Sequence, residues 1–200
     1  MSKILVISSY DLRRNSSSNI RILALIQSLF NNGFEIDLAY IQTSHEIDNS
    51  LDAIIANCCK NVYKLIANEN NIENKNNRII ESSVKKKIKK NIINFYSKLF
   101  VYDIFQTQFK RINNKVIKSI KNEYDFIISS SEPRSSHKLA RNLIKKCKIT
   151  AKWIQYWGDP MTNDVASSKF FPFLEKKEEK KLLQEGDVIL YTNPGCANYM

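Results

Sequence analysis

Glycine and proline are scarce in this chain, with four of each in 200 residues. So little of either excludes a collagen-like repeat and a low-complexity linker. Histidine is scarcer still, at two residues. The four cysteines, Cys58, Cys59, Cys147 and Cys196, lack the spacing of a zinc site. An adjacent pair is poorly placed to chelate one tetrahedral ion, and two histidines do little to complete a set. They read as reduced, structural thiols, with no metal and no cofactor expected. No apolar run approaches the roughly 18 residues that a spanning helix needs. Met1-Ser2-Lys3 leads straight into "ILVI", too short for the apolar region of a secretory signal. The expectation is a cytoplasmic or peripheral chain, not an integral one.

What is present suffices for one ordinary domain. A hydrophobic share of 43% supports a real core at this length. The net charge of +11 is unevenly spread. Between Arg78 and Lys121, twelve Lys or Arg face only two acids, Glu81 and Asp103, so the excess marks one local surface.

Hydrophobic rhythm orders the chain. Lys3–Ser8 is a short continuous apolar run, the pattern of a strand buried on both faces. Ile22, Leu25, Ile26, Leu29 and Phe30 fall on one helical stripe, with Ser17 or Ser18 to cap its start and Gly33 to end it. Phe34 to Ile41 reads as a second strand. Strand, helix and strand in succession predict a right-handed parallel crossover. "AIIANCC" suggests a short helix, "NVYKLIA" (61–67) a third strand, and the Asn-rich stretch 68–77 a loop. Two helical stripes follow: Val84, Ile88, Ile92, Phe95, Leu99 and Tyr102, then Phe105, Phe109, Ile112, Val116 and Ile120. The alternation returns with the strand "YDFIIS", a helix carrying Leu139, Ala140, Leu143, Ile144 and Cys147, and the strand "KWIQYW". A charged helix from about 173 to 184 and the strand "DVILYT" complete it. "NPGCANYM" reads as a loop and the first turn of an unfinished crossover, so a further part of a larger protein is expected beyond it. The fold class is α/β, a doubly wound parallel sheet with a basic helical insert at about 78–121.

The insert contains "VKKKIKKNIINFYSKLF". Its apolar stripe lies opposite Lys85, Lys86, Lys87, Lys89 and Lys90, as in a helix resting on an anionic membrane surface. A helix packed on the sheet with its lysine stems outward fits the same pattern. Nucleic acid is a third partner to weigh. Against it, aromatic residues are not interleaved with the basic ones and no binding motif is recognisable.

In an open parallel sheet, ligands bind beyond the carboxyl ends of the strands. Three polar loops belong at that edge: "SSYDLRRNSSSN" after the first strand, "SSSEPRSS" after the fourth and "GDPMTND" after the fifth. Arg13-Arg14 suits a phosphate or is merely solvated, and Glu132 beside Arg134 suits a local ion pair. Trp153 and Trp157 alternate within their strand and read as packing rather than as sugar-stacking platforms.

The order of "YDFIISSSEPRSSHKLARNL", the Lys/Arg-rich helices before it, "WIQYWGDPMTND" and "EKKLLQEGDVILYT" resembles the amino-terminal domain of a GT-B glycosyltransferase. The nearest branch is the retaining, family 4-like one, and the similarity covers nearly all of residues 1–200. It departs at Ser16-Ser17-Ser18, where many relatives carry glycines. It departs again at Gly158 and Met161, where Arg and Trp are common around Asp-Pro. The resemblance implies a Rossmann-like sheet forming a single GT-B half on the acceptor side. The nucleotide-sugar donor would be held mainly by an absent C-terminal donor-binding domain, fused or on a separate chain, so these 200 residues alone would not turn over. The implied role is transfer of a sugar to a glycan or lipid-linked acceptor in bacterial surface polysaccharide synthesis, on the inner face of the plasma membrane. No catalytic residue is identified.

The candidate acceptor-binding residues are His137, Asp159, Arg21 and Ser131. A helix start would keep His137 neutral and able to bond a hydroxyl, or it is a surface histidine near a cap. Asp159 suits sugar hydroxyls, or it organises the turn before Pro160. Arg21 suits an anion near a helix start, or it is an exposed helix arginine. His137 and Asp159 are expected to be shallow and to share one cleft. A non-catalytic α/β module that docks a membrane or a partner protein through the basic helices is the alternative.

Overall fold

The computed structural model describes residues 1–42, 48–66, 95, 98–99, 101–162 and 170–192. Its strands are β1 (Lys3–Ser8), β2 (Glu35–Tyr40), β3 (Asn61–Lys64), β4 (Phe126–Ser130), β5 (Lys152–Trp157) and β6 (Val188–Tyr191). Its helices are α1 (Ser17–Asn31), α2 (Asn49–Cys58), a 3-10 helix (Ile104–Arg111), α3 (Asn114–Ser119), α4 (Ser135–Cys147) and α5 (Pro172–Glu185). The strands form one sheet in the order β3-β2-β1-β4-β5-β6, every neighbouring pair parallel. The chain winds outward from β1 to β3, returns beside β1 at β4, and winds the other way to β6. This is a Rossmann-like doubly wound sheet, with its direction switching between β1 and β4.

Both faces of the central strands are covered, which is why their sequences are continuous apolar runs. Leu5, Ile7, Ile127, Trp153 and Trp157 pack with Leu139, Ala140 and Leu143 of α4 and Leu182 of α5. On the opposite face, Ile4, Val6, Ile36, Leu38 and Ile128 pack with Ile22, Leu23 and Ile26 of α1 and Ile55 of α2. Trp153 and Trp157 are therefore core residues, as their alternation predicts.

The ends of the elements follow local chemistry. Gly33 takes the left-handed conformation, with φ 83°, as expected. The cap of α1 is Ser16, whose hydroxyl accepts from the Asn19 amide at 3.2 Å, while Ser17 and Ser18 lie inside the helix. The stripe Phe105–Ile120 is not one helix. The 3-10 helix ends at Ile112, which is extended, and Asn113 accepts from the Lys115 amide at 2.9 Å to start α3. The Asn113 amide donates to the Leu65 carbonyl at 2.8 Å, so the restart is fixed against the end of β3. The helix read at "AIIANCC" starts earlier, at Asn49, because Asp48 caps it through the Ser50 amide at 3.0 Å.

Cys58, Cys59 and Cys147 are free thiols, and burial pushes Cys59 up to about 12. Cys196, the loop at 68–77, the final "NPGCANYM" and all five lysines Lys85, Lys86, Lys87, Lys89 and Lys90 lie outside the described residues. Among the described residues no helix is long and apolar enough to cross a membrane.

Candidate functional site at the carboxyl edge of the sheet

The loop after β1 folds back on itself. Asp11 is fully buried and accepts from Arg13 through Nε at 2.9 Å, a terminal nitrogen at 2.8 Å and the backbone amide at 3.1 Å. Asn19 of α1 donates to the carbonyls of Asp11 and Arg14. These bonds raise the Arg13 pKa further above its already high value, chiefly through Asp11. For Arg13, the reading as a solvated or phosphate-binding residue is corrected. Arg13 is buried in a fork-to-fork ion pair, and Arg14 lies over the Tyr10 ring at 5.0 Å.

Across the switch, hydroxyls stitch β1 to α4. The Ser9 amide donates to the Ser136 hydroxyl at 3.0 Å, and the Ser9 and Ser135 hydroxyls lie 2.6 Å apart. Asp103, from the insert, accepts from the Ser135 amide at 2.7 Å and from its hydroxyl at 2.5 Å. The start of a helix offers free amides and a positive dipole end to an anion. At α4 the protein's own Asp103 carboxylate takes that place.

The exposed part of the edge is built by α1 and the loops after β4 and β5. The two strands are neighbours, with Ser130 opposite Tyr156. Ser131 lies beneath the surface, and its hydroxyl accepts from the Gly158 amide at 2.8 Å. Arg21 of α1 reaches over the switch and donates to Glu132 at 2.5 Å. Arg21 and Glu132 are both partly exposed, with side chains 44% and 31% accessible. The structure thus pairs Glu132 with Arg21, in place of the expected Glu132–Arg134 contact. Arg134 turns instead to Glu175 of α5 at 3.1 Å and to the Pro160 carbonyl at 3.3 Å. A Cβ at position 158 would come within 2.5 Å of the Glu132 carboxylate, so glycine there lets Glu132 lie against the loop. Asp159 is exposed, one residue further along.

The loop after β5 is held from below. Glu179 of α5, buried, accepts from the amides of Met161 and Thr162 and from the Thr162 hydroxyl. The Thr192 hydroxyl, just past β6, donates to the Gly158 carbonyl at 2.8 Å. Asp159 therefore projects from a braced turn. Asp11, Asp103, Glu132 and Glu179 all build this edge, yet the sequence reading assigned none of them a role in it. Only the placement of Asp11 and Glu132 in the loops after the first and fourth strands marked any of them beforehand.

His137 does not sit at this mouth. It is 0% exposed, which overturns the expectation of a shallow residue. Its ring stacks on Trp157 with centroids 4.4 Å apart, and Nδ1 lies 2.7 Å from the Ser129 hydroxyl. The reason is its place in α4: positions 137, 140, 144 and 147 form one helical stripe, so His137 faces the sheet with Ala140. Burial lowers its pKa to about 3, so the ring is neutral. The four candidate residues thus divide into Arg21 and Asp159 at the surface, Ser131 just below, and His137 in the core.

This edge offers carboxylates and a guanidinium at an open surface, groups suited to hydroxyl-rich or charged ligands. Among the described residues no group of three or more His, Cys, Asp or Glu is placed to hold a metal ion. Scanned against models of known protein families the chain matches none, and a search among curated proteins finds none similar to it.

Proposed function

We propose that the chain is the acceptor-binding half of a glycosyltransferase, receiving a glycan or lipid-linked sugar at the edge formed by Arg21, Glu132 and Asp159. One observation carries the reading. The exposed groups at the switch are hydrogen-bonding side chains, while the anion-seeking start of α4 is already filled by Asp103. Such an edge favours an acceptor with many hydroxyls over the pyrophosphate of a nucleotide-sugar. The donor would then be bound by a second half outside these 200 residues.

In mechanism, this half orients and shields. Asp159 accepts from sugar hydroxyls, and the Arg21–Glu132 pair borders the same loop at Gly158. Glu179 and Ser131 keep the turn in one geometry, so that binding does not have to order it. His137 contributes by packing under the loop and makes no contact with ligand. The test is sugar transfer from a labelled nucleotide-sugar, with the chain alone and with its donor-binding partner. Transfer only in the combined system, lowered by Asp159→Asn, supports the reading. Turnover by the 200 residues alone overturns it.

A further inference from the structure

The charges of α5 are sorted by the fold in a way its sequence conceals. "FLEKKEEKK" holds four lysines and three glutamates and reads as a balanced, solvated helix. In the structure all three acids turn inward or are engaged. Glu175 meets Arg134, Glu179 meets the Met161 and Thr162 amides, and Glu178 accepts from Arg141 and from the Tyr102 hydroxyl. Lys176, Lys177, Lys180 and Lys181 are left on the exposed face.

That cationic face is continuous with an apolar one. Phe170, Phe171 and Phe173 are 48%, 44% and 65% exposed at the start of α5. Phe95 meets Phe170 edge-on with centroids 5.5 Å apart, and Leu99 and Leu174 are also exposed. Beside them a groove of about 840 Å³ runs between α5 and residues Leu99, Val101, Tyr102 and Gln106, with Leu99, Val101 and Leu174 in its walls. Lys138, Lys177, Lys180 and Lys181 converge on the same groove, which Glu178, already paired with Arg141, also lines. Lys138 lies with its ammonium 4.9 Å from the Tyr102 ring centre and donates to Gln106. Burial lowers its pKa, a cost that an anion in the groove would relieve.

We infer that this face docks on an anionic lipid bilayer, the phenylalanines seating at the headgroup boundary and the groove lysines taking a lipid phosphate. Charge complementarity selects this occupant. Exposed rings without a polar handle beside cations of one sign match an anionic interface, where apolar burial and headgroup attraction act together. None of these residues belongs to the Lys85–Lys90 run, and the inference does not rest on the acceptor-domain reading.

The experiment is co-sedimentation of the 200-residue chain with phosphatidylcholine vesicles, with and without phosphatidylglycerol. Binding is expected only with phosphatidylglycerol, weakened by about tenfold or more in K177Q/K180Q/K181Q, since each lysine near such a surface is worth roughly fivefold. F171A/F173A should weaken it as well, and Phe173→Trp should gain blue-shifted emission on the anionic vesicles alone. Parent-like binding by both α5 variants, with loss only when Lys85, Lys86, Lys87, Lys89 and Lys90 become Gln, would overturn the inference. So would an unshifted tryptophan, or tight capture of a single-stranded oligonucleotide with no vesicle binding.

Discussion

His137 lies stacked on Trp157, the two rings 30° from parallel, with no exposed surface on either residue. Trp153 Nε1 can only donate, and it does so to the Ser129 hydroxyl at 2.9 Å. Ser129 is then free to donate its own proton to His137 Nδ1, leaving the imidazole proton on Nε2. That nitrogen is buried without a hydrogen-bond partner, and charging the ring there would strand a cation in the core.

Acid should therefore unfold this protein by way of His137. Its folded pKa, lowered to about 3 from 6.5, lies below the unfolded one, so between those values the unfolded chain binds the extra proton. The contribution is complete above about pH 6.5 and is lost as pH falls, at roughly 1.4 kcal/mol per unit and about 2 kcal/mol by pH 5. Urea unfolding at pH 7.5, 6 and 5 checks this. His137→Asn should be less stable at pH 7.5 yet show a flatter decline, and equal slopes would assign the acid sensitivity to other groups.

Two glycines should respond unequally to alanine. At Gly158 the added carbon meets the end of a partly exposed Glu132 side chain, which can swing away. The cost should stay below about 1 kcal/mol, the range of an exposed ion pair such as Arg21–Glu132. At Gly186 it meets Gln155 at 2.7 Å and Ile189 at 2.9 Å. Gln155 is fully buried, donating to the Leu182 carbonyl and accepting from Trp157, so it cannot move cheaply. Gly186→Ala should cost about 1–3 kcal/mol in thermal or urea unfolding.

Asp103 should matter more than its place in a basic insert suggests. It caps α4 from outside through Ser135 and also accepts from the Phe105 amide at 3.0 Å. Asp103→Ala should destabilise by about 2 kcal/mol, because a buried helix start would lose its acceptor. Asp103→Asn should recover part of that. A neutral alanine variant in urea unfolding would mean that other groups satisfy the start of α4.

The sheet is legible in the chain because strands covered on both faces are unbroken apolar runs and the connecting helices keep one stripe each. Lys3–Ser8 needs nothing more than that pattern. The site is legible only at its surface. Asp159 follows from a Gly-Asp-Pro turn after a strand, whereas the Arg21–Glu132 contact joins residues far apart in the chain and needs the switch geometry to exist. His137 could have been placed by extending the stripe of Ala140, Ile144 and Cys147 back by one turn. Glu175 and Glu179 could not, since charged residues on a helix read as solvent-facing until their partners are known. The break at Ile112 hides for a similar reason: Phe109, Ile112 and Val116 keep helical spacing across it, and Asn113 is the lone sign of a restart.

The central claim, that this edge receives a sugar acceptor, is tested most directly by backbone-amide NMR of the 200-residue chain titrated with a panel of oligosaccharides and, separately, with UDP- and GDP-sugars. The account predicts that a glycan shifts the amides of Arg21, Glu132 and Asp159, that Asp159→Asn weakens this at least about fivefold (some 1 kcal/mol, one charge-assisted hydrogen bond), and that nucleotide-sugars leave the same amides unmoved. Saturable binding of a nucleotide-sugar at those three residues, with no response to any glycan, would contradict it.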